Sequence, residues 1–225
     1  MGGWTKSLSE NYQGFQTGSK PGGVLRRRQG VVLGGFSLIE LIITLALIIV
    51  LAVIFNGFGS RSNQQRQLKT CQKNLQNVYL ALDLFANEHQ GRFPVTPGAS
   101  TSEEPLSQLV PKYTAASDAF VCPGSKDSPM PSGEPFGSRK ISYAFFMGRA
   151  QSETTNVLMS DRLVDTQPKP SGGVAFSTTG DKPGNNHHKY GGNFLFVDGR
   201  LESSGPKVAF PLAWGEGVVL LNPKP

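Results

Sequence analysis

The amino-acid sequence predicts an α+β protein. A long N-terminal helix, membrane-spanning in its first half and amphipathic in its second, packs on a small antiparallel sheet head with long loops. Three observations lead there. Residues 36–55 form an apolar run of 20 residues. As a helix rising 1.5 Å per residue it reaches about 30 Å, the thickness of a hydrocarbon core. Leu68, Cys71, Leu75, Val78, Leu82, Phe85 and His89 then recur at alternating spacings of three and four, which is one stripe of an α-helix. Beyond residue 93, short apolar runs alternate with loop-like stretches. Two of them are joined by Asp198-Gly199, a strong hairpin signal.

Composition narrows the function classes. The chain has 225 residues, enough for one ordinary domain plus extensions and too few for a large multidomain enzyme. Its 27 Gly and 16 Pro demand many loops, yet stay below the bias of collagen or a fully disordered chain. Two cysteines exclude a disulfide framework or a zinc-finger array. The formal net charge of +6 is uneven: Lys6, Lys20, Arg26, Arg27 and Arg28 against Glu10 place +4 in residues 1–35. A basic cluster beside an apolar run is a topology signal rather than a phosphate-binding patch, so no nucleic acid is expected.

The elements follow in order. Residues 1–35 form a basic leader, 36–58 a transmembrane or filament-core helix, 59–92 its amphipathic continuation and 93–225 an extracytoplasmic globular head. The run is too long for a usual signal peptide, and no small-x-small site follows it. Asn56-Gly57-Phe58-Gly59 weakens the helix, since each Gly costs about 1 kcal/mol. Leu84 beside Phe85 widens the apolar face, which favours packing on a sheet over a coiled coil. Gly91 and Pro94 stop the helix. Residues 96–105 read as a loop, 106–110 as an apolar turn or short helix, 141–147 and 156–160 as strands, and 165–186 as a long surface loop. Residues 193–203 form the hairpin, whose Asp-Gly turn calls for positive φ at both residues. Residues 208–210 and 218–221 supply edge or terminal strands.

Glu40 is costly in an apolar helix and calls for a partner. No basic residue lies on the run. The cation is then replaced by interfacial water, or supplied by a partner protein or by a new amine made by cutting the chain nearby. A plainer alternative is a carboxylate that snorkels to the interface.

Gly34-Gly35-Phe36-Ser37-Leu38-Ile39-Glu40-Leu41-Ile42 resembles the class III signal of type IV pilins and type II secretion pseudopilins. The resemblance implies that a prepilin peptidase cuts after Gly35, that Phe36 becomes the methylated N-terminus, and that Glu40 is the fifth mature residue. The leader is longer than most in that family. The new α-amino group would have an ordinary value of about 7.7–8.0 and be able to carry charge. Glu40 of one subunit would then neutralise the Phe36 amine of its neighbour and set the register of stacked helices, since removing one partner of a buried pair is expensive.

Further segments carry the same resemblance. Residues 71–76 and 87–94 look like the pseudopilin segments that close the amphipathic helix, and Phe120-Val121-Cys122-Pro123 looks like a second recurrent segment. Both cysteines would lie where thiols oxidise, so a Cys71–Cys122 disulfide is expected; two buried free thiols or an intermolecular bond are the alternatives. His188, nine intervening residues and Asp198-Gly199 resemble a processing-associated motif at the C-terminal end of some prepilin-like proteins. No chemistry follows from that likeness. Pseudopilin heads often hold calcium in a C-terminal loop, and residues 177–182 offer oxygens in a comparable position with Asp181 as the sole carboxylate.

Catalysis is not expected. His187, His188 and Asp198 lack a third ligand at a recognisable spacing, and neither a Gly-x-Ser-x-Gly element nor a P-loop is present. His188 bonding loop backbone while Asp198 shapes a turn is the plainer role. The expected function is therefore a prepilin-like structural subunit of an extracytoplasmic filament, of the type II secretion pseudopilin kind. It is stored single-pass in a bacterial inner membrane with its head periplasmic. Its expected partners are the prepilin peptidase, other pilin-like subunits, an inner-membrane assembly platform and membrane lipid. A type IV or DNA-uptake pilus subunit is one alternative. A signal-anchored periplasmic enzyme or binding protein is another, of a different class.

Overall fold

The structure, a computed structural model, describes residues 37–184 and 190–225, with the side chains of residues 55–61 outside that description. The chain divides into two units, Met1–Leu47 and Ile48–Pro225. Helix α1 (Leu38–Glu88) begins in the first and ends in the second. In the second unit its stripe is the spine of a hydrophobic core. Cys71, Leu75, Val78, Leu82 and Phe85 are buried together with Ala81 and Ala86. Leu68 is half-buried and His89 exposed, although the His89 ring stacks on Phe85 at 3.9 Å. Leu84 does not widen this face as expected: it points to solvent, 54% exposed, because the buried arc turns through Ala81 and Ala86.

Helix α1 ends by a left-handed cap. Gln90 has φ +58° and Gly91 φ +77°, and the Gly91 N–H returns to the Ala86 carbonyl at 2.8 Å. This is the six-to-one bond of a Schellman ending, with Gln90 in the position glycine usually takes. The chain then forms helix α2 (Glu103–Leu106), a 3₁₀ turn (Ser107–Leu109) and a second 3₁₀ turn (Ser117–Phe120). Helix α2 thus begins inside the stretch expected to be loop.

Five antiparallel strands follow: β1 (Tyr143–Met147), β2 (Val157–Asp161), β3 (Gly192–Phe196), β4 (Leu201–Ser204) and β5 (Val219–Leu221), in the order β4-β3-β2-β1-β5. Residues 208–210 form no strand; Lys207 makes an isolated bridge with Val174 instead. Strands β1, β2 and β3 are buried at every position, so the sheet is covered on both faces. Tyr143, Phe145, Met147 and Leu195 join the cluster built on α1. Ala144, Phe146, Phe194 and Phe196 face the other way, under Leu163, Ala175, Phe176, Val208 and Leu212. That second cover is made of loops, stitched by Lys169 and Leu212 exchanging two backbone bonds of 2.8 Å and by Gly172 N–H to the Val208 carbonyl at 2.7 Å. A register shift in β2 between Val157 and Met159 lets Leu158 and Met159 both enter the α1-side cluster, as a β-bulge does.

The expected fold class is corrected in its first element. Among the described residues no helix is long and apolar enough to cross a membrane. Helix α1 begins at Leu38. Glu40 stands in its first turn, where a carboxylate opposes insertion. The single-pass inner-membrane location drawn from a spanning segment is corrected with it.

Candidate functional site

Gly35 and Phe36, the expected cut and new N-terminus, lie outside the described residues, as do His187 and His188. Ser37 opens α1: its carbonyl accepts from the Glu40 and Leu41 N–H groups at 2.9 and 3.1 Å. Glu40 is exposed in the first turn, where a negative charge favours the helix dipole. It has no ion-pair partner among the described residues. From Leu38 to Ile54, thirteen large apolar side chains each keep between 47% and 75% of their surface exposed. Seven of them, Leu38 to Leu47, belong to the first unit and six, Ile48 to Ile54, to the second; large exposed apolar patches generally mark interaction sites.

The two cysteines are brought together. Cys71 and Cys122 form a disulfide with Cα atoms 5.4 Å apart, closing a separation of 51 residues. Both half-cystines are buried. A carboxylate oxygen of Asp161, at the end of β2, lies within 4.8 Å of the sulfurs. The three are no metal centre in this state, because disulfide sulfur has lost the thiolate that a metal needs.

Beside the disulfide a polar network joins α1 to the sheet. Asn193 donates to the Asp161 carboxylate from its backbone N–H at 2.7 Å and from Nδ2 at 2.9 Å. The same Nδ2 lies 3.2 Å from the Leu68 carbonyl. Ser203 Oγ donates to Asn193 Oδ1, and Gln72 Nε2 donates to Ser203 Oγ, both at 2.7 Å. Asp161 and Asn193 are fully buried, so these bonds offset desolvation that is otherwise expensive. Burial also pushes the Tyr143 hydroxyl well above its ordinary value, and the Asp161 charge adds to this. Sequence inspection missed this network. Its only trace is a polar residue in each of two apolar runs, Asp161 after Val157-Leu158-Met159-Ser160 and Asn193 before Phe194-Leu195-Phe196.

Asp198-Gly199 is a structural turn. Of its two residues only Gly199 has positive φ, +81°, which corrects the expectation of two. The Gly199 N–H bonds the Phe196 carbonyl at 3.0 Å, and Phe196 N–H bonds the Arg200 carbonyl at 2.8 Å. This is the longer hairpin connection, a turn followed by a left-handed glycine in a bulge. Asp198 Oδ1 accepts from the Arg200 N–H at 2.9 Å. The turn sits on α1: Tyr79 Oη donates to the Val197 carbonyl at 3.1 Å, and a Cβ on Gly199 would come within 2.7 Å of the Tyr79 ring. Burial raises the Tyr79 phenol above its ordinary value, and the charges of Asp83 and Asp198 raise it further.

The 177–182 loop is organised by its own hydroxyls. Ser177 Oγ donates to the Asp181 carbonyl at 2.9 Å and accepts from the Gly180 N–H at 2.9 Å, while Thr179 Oγ1 accepts from the Asp181 N–H at 3.3 Å. Asp181 is exposed and belongs to no cluster of metal-ligating side chains among the described residues. The chain matches no protein-family model, no curated protein and no solved structure.

Proposed function

We propose that this chain is a prepilin-like structural subunit of a filament, of the type II secretion pseudopilin kind. A prepilin peptidase cuts it after Gly35, and it assembles with other pilin-like subunits through the start of α1. The observation that carries this reading is the exposed apolar surface from Leu38 to Ile54, with one acidic residue, Glu40, in its first turn. Covering half of that exposed surface with neighbouring helices contributes on the order of 10 kcal/mol at about 25 cal/mol per Å². Glu40 then supplies the register. A carboxylate placed among apolar helices is tolerated only where a cation meets it, and the amine freed at Phe36 by cleavage is such a cation. Packing provides the affinity, and the single charge pair selects the axial step.

The test is an intact-mass measurement on the protein produced with and without an active prepilin peptidase. A chain beginning at methylated Phe36 is expected only when the peptidase is present, with Gly35→Val leaving the precursor uncut. A chain that keeps residues 1–35 beside an active peptidase would overturn the proposal.

A further inference from the structure

A cleft of about 380 Å³ in the second unit gathers basic side chains from four separate segments. Lys126 comes from the loop after Cys122, Arg139 and Lys140 from the approach to β1, Arg162 from the residue after β2, and Lys182 from the 177–184 loop. The one carboxylate side chain among them is Asp127.

The arrangement is built rather than incidental. Arg162 keeps only 9% of its side chain exposed and faces Asp127 at 3.3 Å. Its Nη2 donates to the Ile141 carbonyl at 3.1 Å. Asp127 is held in turn by the Ser142 hydroxyl at 2.7 Å. Arg162 Nε is buried and has no hydrogen-bond partner, an unmade bond on a charged group that normally carries a cost. Three of the five cations have acceptors in place. Arg139 pairs with Glu134 at 2.5 Å, Lys140 Nζ donates to the Pro225 main-chain oxygen, and Arg162 is paired as above. Lys126 and Lys182 have no ion-pair partner among the described residues.

We infer that this cleft binds a dianionic tetrahedral oxyanion, a phosphate group either free or carried as a monoester. Five basic groups around one concavity repel one another and focus a positive field into it. Glu134, the Pro225 oxygen and Asp127 meet Arg139, Lys140 and Arg162, which leaves Lys126 and Lys182 as the uncompensated charges, and a dianion between these two would accept from both. Arg162, fixed by Asp127 and the Ile141 carbonyl, adds a fixed positive charge behind them. The volume exceeds that of the bare ion and leaves room for what carries it.

Calorimetric titration of the full chain at constant ionic strength tests the inference, with inorganic phosphate, phenyl phosphate and acetate as probes. Saturable binding of inorganic phosphate at millimolar concentration or below is expected, with acetate much weaker. Phenyl phosphate binding equally well identifies a carried phosphate, and its failure beside phosphate binding identifies the free ion. The variant Lys126→Ala/Lys182→Ala removes two exposed side chains and should weaken phosphate by about fivefold or more. Lys207→Ala, exposed and outside the cleft, should leave it unchanged. The inference is overturned if neither phosphate probe binds saturably, if acetate binds as well as phosphate, or if the double variant retains the parent affinity.

Discussion

Replacing Gly199 by alanine should cost stability through two separable effects. The first is conformational. Gly199 has φ +81°, and an L residue held in the left-handed region loses about 1–2 kcal/mol. The second is steric. The added Cβ would stand 2.7 Å from a Tyr79 ring carbon, about 1 Å inside an ordinary carbon–carbon contact. Tyr79 cannot yield freely, because its hydroxyl bonds the Val197 carbonyl in the same turn. Either the ring or the turn moves, at about 1–2 kcal/mol for overpacking. The whole loss is then about 2–4 kcal/mol. Gly98 is the control: its φ is +77°, yet a Cβ there meets nothing within 4 Å, so Gly98→Ala should show the conformational part alone. Urea denaturation of the parent, Gly98→Ala, Gly199→Ala, Tyr79→Ala and the Tyr79→Ala/Gly199→Ala double variant measures each. The cycle between positions 79 and 199 should show a coupling of about 1–2 kcal/mol, because removing the ring removes the clash. A coupling below about 0.3 kcal/mol, or equal losses at Gly98 and Gly199, would refute the docking of this turn on α1.

Two further outcomes are expected. Cys71→Ala/Cys122→Ala opens a loop of 51 residues' separation and should lower unfolding free energy by about 4 kcal/mol in the chain-entropy account; a non-reducing melt that shifts by less than about 1 kcal/mol would contradict it. Glu153 lies below its ordinary value of 4.5: burial alone would raise it, but the Arg149 side chain and the Ala150 and Asn156 donors outweigh that, Arg149 standing at 2.6 Å. A carboxyl depressed in the folded state stabilises above its unfolded value and loses that contribution as pH falls through its folded one. Melting temperatures taken from neutral pH downward should therefore fall less steeply below pH 4.5 for Glu153→Gln than for the parent; parallel curves would count against the pair.

What was legible in the sequence was whatever a short window encodes. The stripe Cys71, Leu75, Val78, Leu82 and Phe85 could be read because helical periodicity puts those residues on one face wherever the helix goes. The 141–147 and 156–160 runs became β1 and β2, and Asp198-Gly199 marked a hairpin, because turn chemistry is local. Even there the geometry differed. A bulged connection needs positive φ at Gly199 alone, and Asp198 instead caps the Arg200 N–H. The Cys71–Cys122 pairing was an inference from compartment and resemblance; the fold supplies the 5.4 Å approach that makes it possible.

The rest depends on neighbours far apart in the chain. Counting apolar residues from Phe36 to Phe55 suggested a membrane span, but the count could not register where helix begins or weigh the Glu40 carboxylate in its first turn. Leu84 matched an apolar face and is exposed, since the arc of α1 that meets the sheet is set by what packs against it. The apolar run 141–147 reads as a strand, and only tertiary structure shows that both faces of Tyr143–Met147 are covered, the second by loop through Phe176, Val208 and Leu212. Nothing local in the sequence pairs Asp161 with Asn193; folding places them together beside the disulfide. Sequence alone determined the periodic elements and the turn, because those follow from backbone sterics over a few residues. Tertiary structure decided which faces are covered, which polar groups meet and where charge collects, because burial and pairing are properties of segments that only folding makes adjacent.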